Sequence, residues 1–103
     1  MERLELPPVT FGMQSERDFA NAVIEYATLC GWKVKRDPMW RPTAASVGFP
    51  DLVLARGGNV IFAELKAKTG KVTQAQQEWG GAIGAQWRVW FPADWPEIEK
   101  VLR

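Results

Sequence analysis

Histidine is missing altogether from this chain of 103 residues. Its absence excludes imidazole acid–base catalysis, Ser-His-Asp triads and zinc sites that need an imidazole ligand. Cysteine occurs once, at Cys30. A lone thiol forms no internal disulfide and cannot by itself build a zinc site, and it suits a reducing cytosol. Cys30 falls on the apolar side of a helical stretch, so it reads as a packing residue and not as a nucleophile. Long apolar runs are lacking too, and no signal-peptide pattern opens the chain. A cytoplasmic protein with no membrane partner is therefore expected. There is no internal repeat and no low-complexity tract. If the chain is an enzyme, carboxylates and lysine must do its chemistry.

What is present is an ordinary globular composition, with 47% hydrophobic residues. A chain this short has room for one core, so a single domain over residues 15–103 is expected. Residues 1–14, with Pro7-Pro8 and no clear periodicity, read as an N-terminal tail. The formal net charge is only +1, but it is unevenly spread. Residues 1–30 hold two basic and five acidic groups, and residues 72–103 hold three and four. Residues 31–71 hold eight basic and three acidic groups. A basic middle segment is what a phosphate backbone would require; a solvated strand face with scattered lysines is the plainer account. Six tryptophans are several times the usual share. Most read as core, and Trp40, in a loop between Met39 and Arg41, reads as a stacking or interface residue.

The order of elements follows from periodicity. Ser15 reads as the cap of a helix over 15–30, ended by Gly31, with an apolar stripe of Phe19, Ala20, Val23, Ala27 and Cys30. Glu16 falls on that stripe, so its carboxylate either faces the edge of the core or serves as a first-turn acid that favours the helix dipole. Strands are expected over 32–36, 52–55, 60–65 and 86–91. Thr73 starts a second helix to about Ile83, and Asp94-x-x-Glu97 with Pro96 opens a short final helix. The helical crossover makes the third and fourth strands parallel. The result is an α/β domain of order αβββαβα, a mixed four-stranded sheet flanked by helices. Thr73-x-x-Gln76 also fits a capping box, with Gln76 folding back on the Thr73 amide.

Two strings carry the chemistry: Gly48-Phe49-Pro50-Asp51-Leu52-Val53 and Phe62-Ala63-Glu64-Leu65-Lys66. Both read as buried strands, and both carry charge. A buried charge is costly unless it is paired or metal-bound. Arg56-Gly57-Gly58-Asn59 has the composition of a tight hairpin turn, which sets Asp51 and Glu64 on neighbouring strands. Glu64 and Lys66 share a face and Leu65 points to the other. Two carboxylates a few ångströms apart jointly attract a hard divalent cation such as Mg²⁺. A nearby ammonium can stabilise charge on a phosphate or help activate a water. The bland alternative is a same-face Glu64–Lys66 ion pair with Asp51 capping a turn after Pro50. Each residue alone fits that alternative; the three together favour the metal site.

Pro50-Asp51, a short hairpin and Glu64-Leu65-Lys66 resemble the PD-(D/E)XK nuclease superfamily. The glycine before Phe-Pro-Asp-Leu-Val, then Phe-Ala-Glu-Leu-Lys, a glycine and Thr73-Gln74-Ala75-Gln76, resemble its VRR-NUC branch. Phe91-Pro92-Ala93-Asp94-Trp95 is similar to the end of small phage and bacterial stand-alone members. The resemblance runs from about Ser15 onward. One departure is the bland segment Pro42-Thr43-Ala44-Ala45-Ser46-Val47, where branch members commonly carry more polar or basic residues.

The resemblance implies a restriction-endonuclease-like core and a metal-dependent DNA endonuclease. Asp51, Glu64 and the Leu65 backbone carbonyl would hold Mg²⁺ or Mn²⁺, with Glu16 as a further candidate ligand. Lys66 would act on the attacking water, and Gln76 would orient the water or a phosphate. Lys35, Arg36, Arg41, Lys68 and Lys71 are the candidate DNA contacts. Small members of the branch look like dimeric Holliday junction resolvases, so branched DNA and a homodimer are expected, in the host cytoplasm if the chain is phage-encoded. The rivals are a non-catalytic DNA-binding or structural module and a nuclease subunit of a larger complex.

Overall fold

A computed structural model describes residues 15–37 and 43–103. The expected tail, Trp40 and Arg41 lie outside the described residues. Helix α1 (Glu16–Leu29) is followed by β1 (Lys33–Arg36), β2 (Leu52–Arg56) and β3 (Asn59–Leu65). Helix α2 (Gln74–Ile83), a 3-10 turn, β4 (Trp87–Trp90), a second 3-10 turn and α3 (Trp95–Leu102) complete the chain. The strands form one sheet in the order β1-β2-β3-β4. The first two pairings are antiparallel, and β3 pairs with β4 in parallel across the α2 crossover. This is a small α/β domain with a mixed four-stranded sheet and three helices, in the element order read from the sequence. Among the described residues no helix is long and apolar enough to cross a membrane.

Local signals explain most boundaries. The Ser15 hydroxyl accepts the Asp18 N–H at 3.1 Å and caps α1. At the other end Gly31 takes φ +88°, while its N–H and that of Trp32 return to Thr28 and Ala27. That is a Schellman stop, which a side chain with a Cβ would resist. The β2–β3 turn is Gly57-Gly58, both at positive φ, as a two-residue type I′ hairpin requires. It fixes the register Leu52↔Ala63 and Leu54↔Ile61.

That register divides the sheet into two faces. Leu52, Leu54, Ile61, Ala63 and Leu65 lie on one face and are buried. They form a core with Phe19, Val23 and Ala27 of α1 and with Ile98 and Leu102 of α3. Each fully buried large apolar side chain there contributes roughly 1.5–3 kcal/mol. Val53, Phe62 and Glu64 lie on the other face. Phe49 packs edge-on against both Phe62 and Trp79 of α2, so that α2 covers this face.

Two details differ from the sequence reading. Trp32 precedes β1 and does not belong to it; its indole N–H donates to the Leu102 carbonyl at 2.8 Å. Asp94 does not cap α3 with its side chain. Its carboxylate instead accepts the Phe91 N–H at 2.8 Å, closing the 3-10 turn ahead of the helix. Glu16, the first residue of α1, is exposed and lines a cleft beside Asp51.

Candidate active site

The β2–β3 hairpin sets the two carboxylates side by side. Asp51 lies one residue ahead of β2, and its Oδ2 accepts the Leu65 backbone N–H at 2.8 Å. It is therefore a cross-strand link and not merely a cap after Pro50. Glu64, in β3, is 2% exposed. Its Oε2 accepts from Gln76 Nε2 at 2.9 Å and lies 3.7 Å from Lys66 Nζ. Its Oε1 is buried and has no hydrogen-bond partner. Lys66 follows β3 directly, and its own N–H donates to the Trp90 carbonyl, which extends the β3–β4 pairing past the strand end. Lys66 is 7% exposed.

Electrostatics follow from this placement. The Glu64 carboxyl is pushed up from the ordinary 4.5 to about 8. Burial is the largest cause, and the neighbouring Asp51 carboxylate comes next. Lys66 pulls the other way without prevailing, and Glu16 adds a small upward push. A pair at 3.7 Å is too long for a good charge-assisted hydrogen bond, so the upward direction stands. Lys66 stands within ion-pairing reach of Glu64 but does not neutralise the site.

Gln76 forms the capping box read from its position and also reaches into the site. Its Oε1 accepts the Thr73 N–H at 2.8 Å in a capping box, while its Nε2 reaches Glu64. One side chain thus starts α2 and holds the buried carboxylate. Gly48 makes this docking feasible. It has φ +87°, and a Cβ there would stand 2.5 Å from the Ala75 carbonyl carbon. The loop leading to Asp51 and the first turn of α2 therefore touch backbone to backbone. Gly70 packs similarly on the Lys66 stem, where a Cβ would meet Lys66 Cδ at 3.2 Å.

Beside Asp51 lies a cleft of about 190 Å³ lined by Glu16, Arg17, Arg36, Asp37, Asp51 and Leu65. Asp37 and Asp51 are joined there by the Asp37 N–H donating to the Asp51 carbonyl at 2.8 Å. Arg36 reaches α1, donating to the Asn21 side chain at 3.2 Å. Its neighbour Lys35 pairs with Val53 and so projects from the opposite face. Lys68 and Lys71 are exposed in the loop after Lys66. The proposed DNA contacts are thus split: Arg36 lines the cleft, Lys35 does not, and the two lysines sit beyond Lys66. Arg17 and Asp37 were not among the sequence candidates. Arg17 stands one residue after Glu16, but its place on the cleft wall depends on how α1 is rotated against the sheet.

The donors suit a hard cation. Asp51 and Glu64 offer carboxylate oxygens, and the orphaned Oε1 of Glu64 is a buried acceptor with nothing to accept. Carboxylate, backbone carbonyl and water are the ligands that Mg²⁺ and Mn²⁺ prefer. Among the described residues no three Asp, Glu, Cys or His side chains gather as a metal cage, and Glu16 does not complete one. Comparison of the chain with protein-family models, with curated proteins and with solved structures finds no match.

Proposed function

We propose that the chain is a Mg²⁺- or Mn²⁺-dependent DNA endonuclease with a restriction-endonuclease-like core of the VRR-NUC kind. The observation that carries this reading is Glu64: a fully buried carboxylate beside a second one, with one oxygen unpartnered. A fold retains such a costly arrangement where a function uses it. Asp51, Glu64 and the Leu65 carbonyl would hold the cation. When bound, it supplies polarisation of a phosphate oxygen and a lowered pKa for attacking water. The Lys66 ammonium, beside Glu64, would stabilise charge on the phosphate and orient the water. Gln76 holds Glu64 in place from α2. A two-fold homodimer would present two such sites, as cutting paired strands of a branched DNA requires.

The test is a cleavage panel of linear, nicked, flapped and four-way-junction DNA with Mg²⁺, Mn²⁺ or EDTA, run on wild type and Glu64→Ala. Metal-dependent cleavage by wild type, strongest on a branched substrate and lost in the variant, is expected. No cleavage of any substrate, or substantial cleavage by Glu64→Ala, would reject the assignment.

A further inference from the structure

Arg17 and Arg36 line the cleft beside Asp51. Arg36 pairs with Leu52 across the strands, so its side chain leaves the sheet on the α1 face, one residue from Asp51. There it is held by Asn21, which stands one helical turn after Arg17 on the same side of α1. Two cations are thus brought to neighbouring positions on one wall.

The same cleft holds Glu16, Asp37 and Asp51. Three carboxylates are at hand, yet among the described residues the one ion pair in the protein is Lys66–Glu64. Arg36 bonds to a neutral amide instead. Guanidiniums that share a cleft with carboxylates and pair with none remain available to another anion. The planar donor fork of arginine matches a phosphate group. We propose that Arg17 and Arg36 form a phosphate-binding subsite that grips the backbone of the nucleic-acid strand next to the scissile bond.

This subsite rests on the nuclease reading, because the anion it takes is the substrate's own backbone. The cleft also sets a condition on binding. Its carboxylates outnumber its guanidiniums, so a phosphate enters against net repulsion until a divalent cation offsets Asp51. The two arginines should therefore count for more when the cation is present.

The test is equilibrium binding of a fluorescent duplex DNA across a salt series, in Ca²⁺ and in EDTA. The proteins are wild type, Arg17→Ala, Arg36→Ala and the double variant, with Lys100→Ala on α3 as control. Each lost phosphate contact should flatten the slope of log K against log salt by about 0.9. The double variant should thus lose nearly 2 in Ca²⁺ and less in EDTA, while Lys100→Ala matches wild type. Arg17→Lys and Arg36→Lys should keep the slope, which separates charge from folding. A double variant that is folded by circular dichroism and keeps the wild-type slope in Ca²⁺ overturns the subsite. So does a titration in which inorganic phosphate binding depends on the arginines while DNA binding does not. If wild type cleaves no DNA, the nuclease reading fails separately, and the salt slopes still decide the subsite.

Discussion

The buried Glu64 carboxyl makes stability depend on pH in a direction opposite to that of an ordinary paired acid. Its pKa is about 8 in the folded protein against 4.5 when free. Between those values the folded chain holds a proton that the unfolded chain has released, so stability is full below about pH 4.5 and is lost as pH rises toward 8. For a single group with this shift the loss by pH 7 is on the order of 3 kcal/mol. That is an upper figure, because an ionised Glu64 would draw water or move toward Lys66. In a domain of this size about 1 kcal/mol moves the melting temperature by roughly 4–8 °C. Glu64→Gln keeps the shape and an acceptor for Gln76 Nε2 but cannot ionise. Urea unfolding in EDTA at pH 5, 6, 7 and 8 is the assay. Wild type should lose stability steadily across the series, and Glu64→Gln should stay level and exceed wild type at pH 8. The Lys66 ion pair is the competing influence: if it dominated, the variant would be the weaker protein at pH 8. A flat wild-type profile, or a variant that falls in parallel with it, would refute the reasoning.

Divalent cations should reverse that penalty: Mn²⁺ should raise the wild-type melting temperature through binding to the folded state alone. Asp51→Asn, which keeps an acceptor for the Leu65 N–H, should melt higher than wild type in EDTA and lose most of the Mn²⁺ shift; an unchanged shift would remove Asp51 from the ligand set. Gly48→Ala should cost roughly 2–5 kcal/mol, from its left-handed backbone and from the collision with Ala75. A loss below about 1 kcal/mol in urea unfolding would contradict the close approach. The homodimer should persist at micromolar concentration in light scattering, and a monomer across that range would reject it.

The parts of the site legible in the sequence are those fixed by near neighbours. Gly57-Gly58 announces a hairpin, and the hairpin alone sets Asp51 against the end of β3. The Thr73-x-x-Gln76 spacing announces a cap, and the helix start then carries Gln76 to Glu64. What the spacing could not reveal depends on how distant elements meet. Arg17 and Asp37 join the cleft because α1 packs across the β1–β2 end, a matter of helix rotation. Asp94-x-x-Glu97 offered Asp94 a helix to cap, but the nearer Phe91 N–H took its carboxylate.

The chain order of the strands is also their order in the sheet, and this bears on how the site is assembled in time. Only 14 residues separate Asp51 from its Leu65 partner, and closing so short a loop costs little entropy. The two carboxylates can therefore meet while the hairpin is still wet, where their repulsion is small. Glu64 is sealed from water only when α2 docks through Phe49, Trp79 and Gln76. The uphill event is thus deferred to the last stage, and it should appear in the unfolding rate and not in the folding rate. Stopped-flow kinetics of Glu64→Gln at pH 8 should show slower unfolding with nearly unchanged folding; a gain confined to the folding limb would place the burial early.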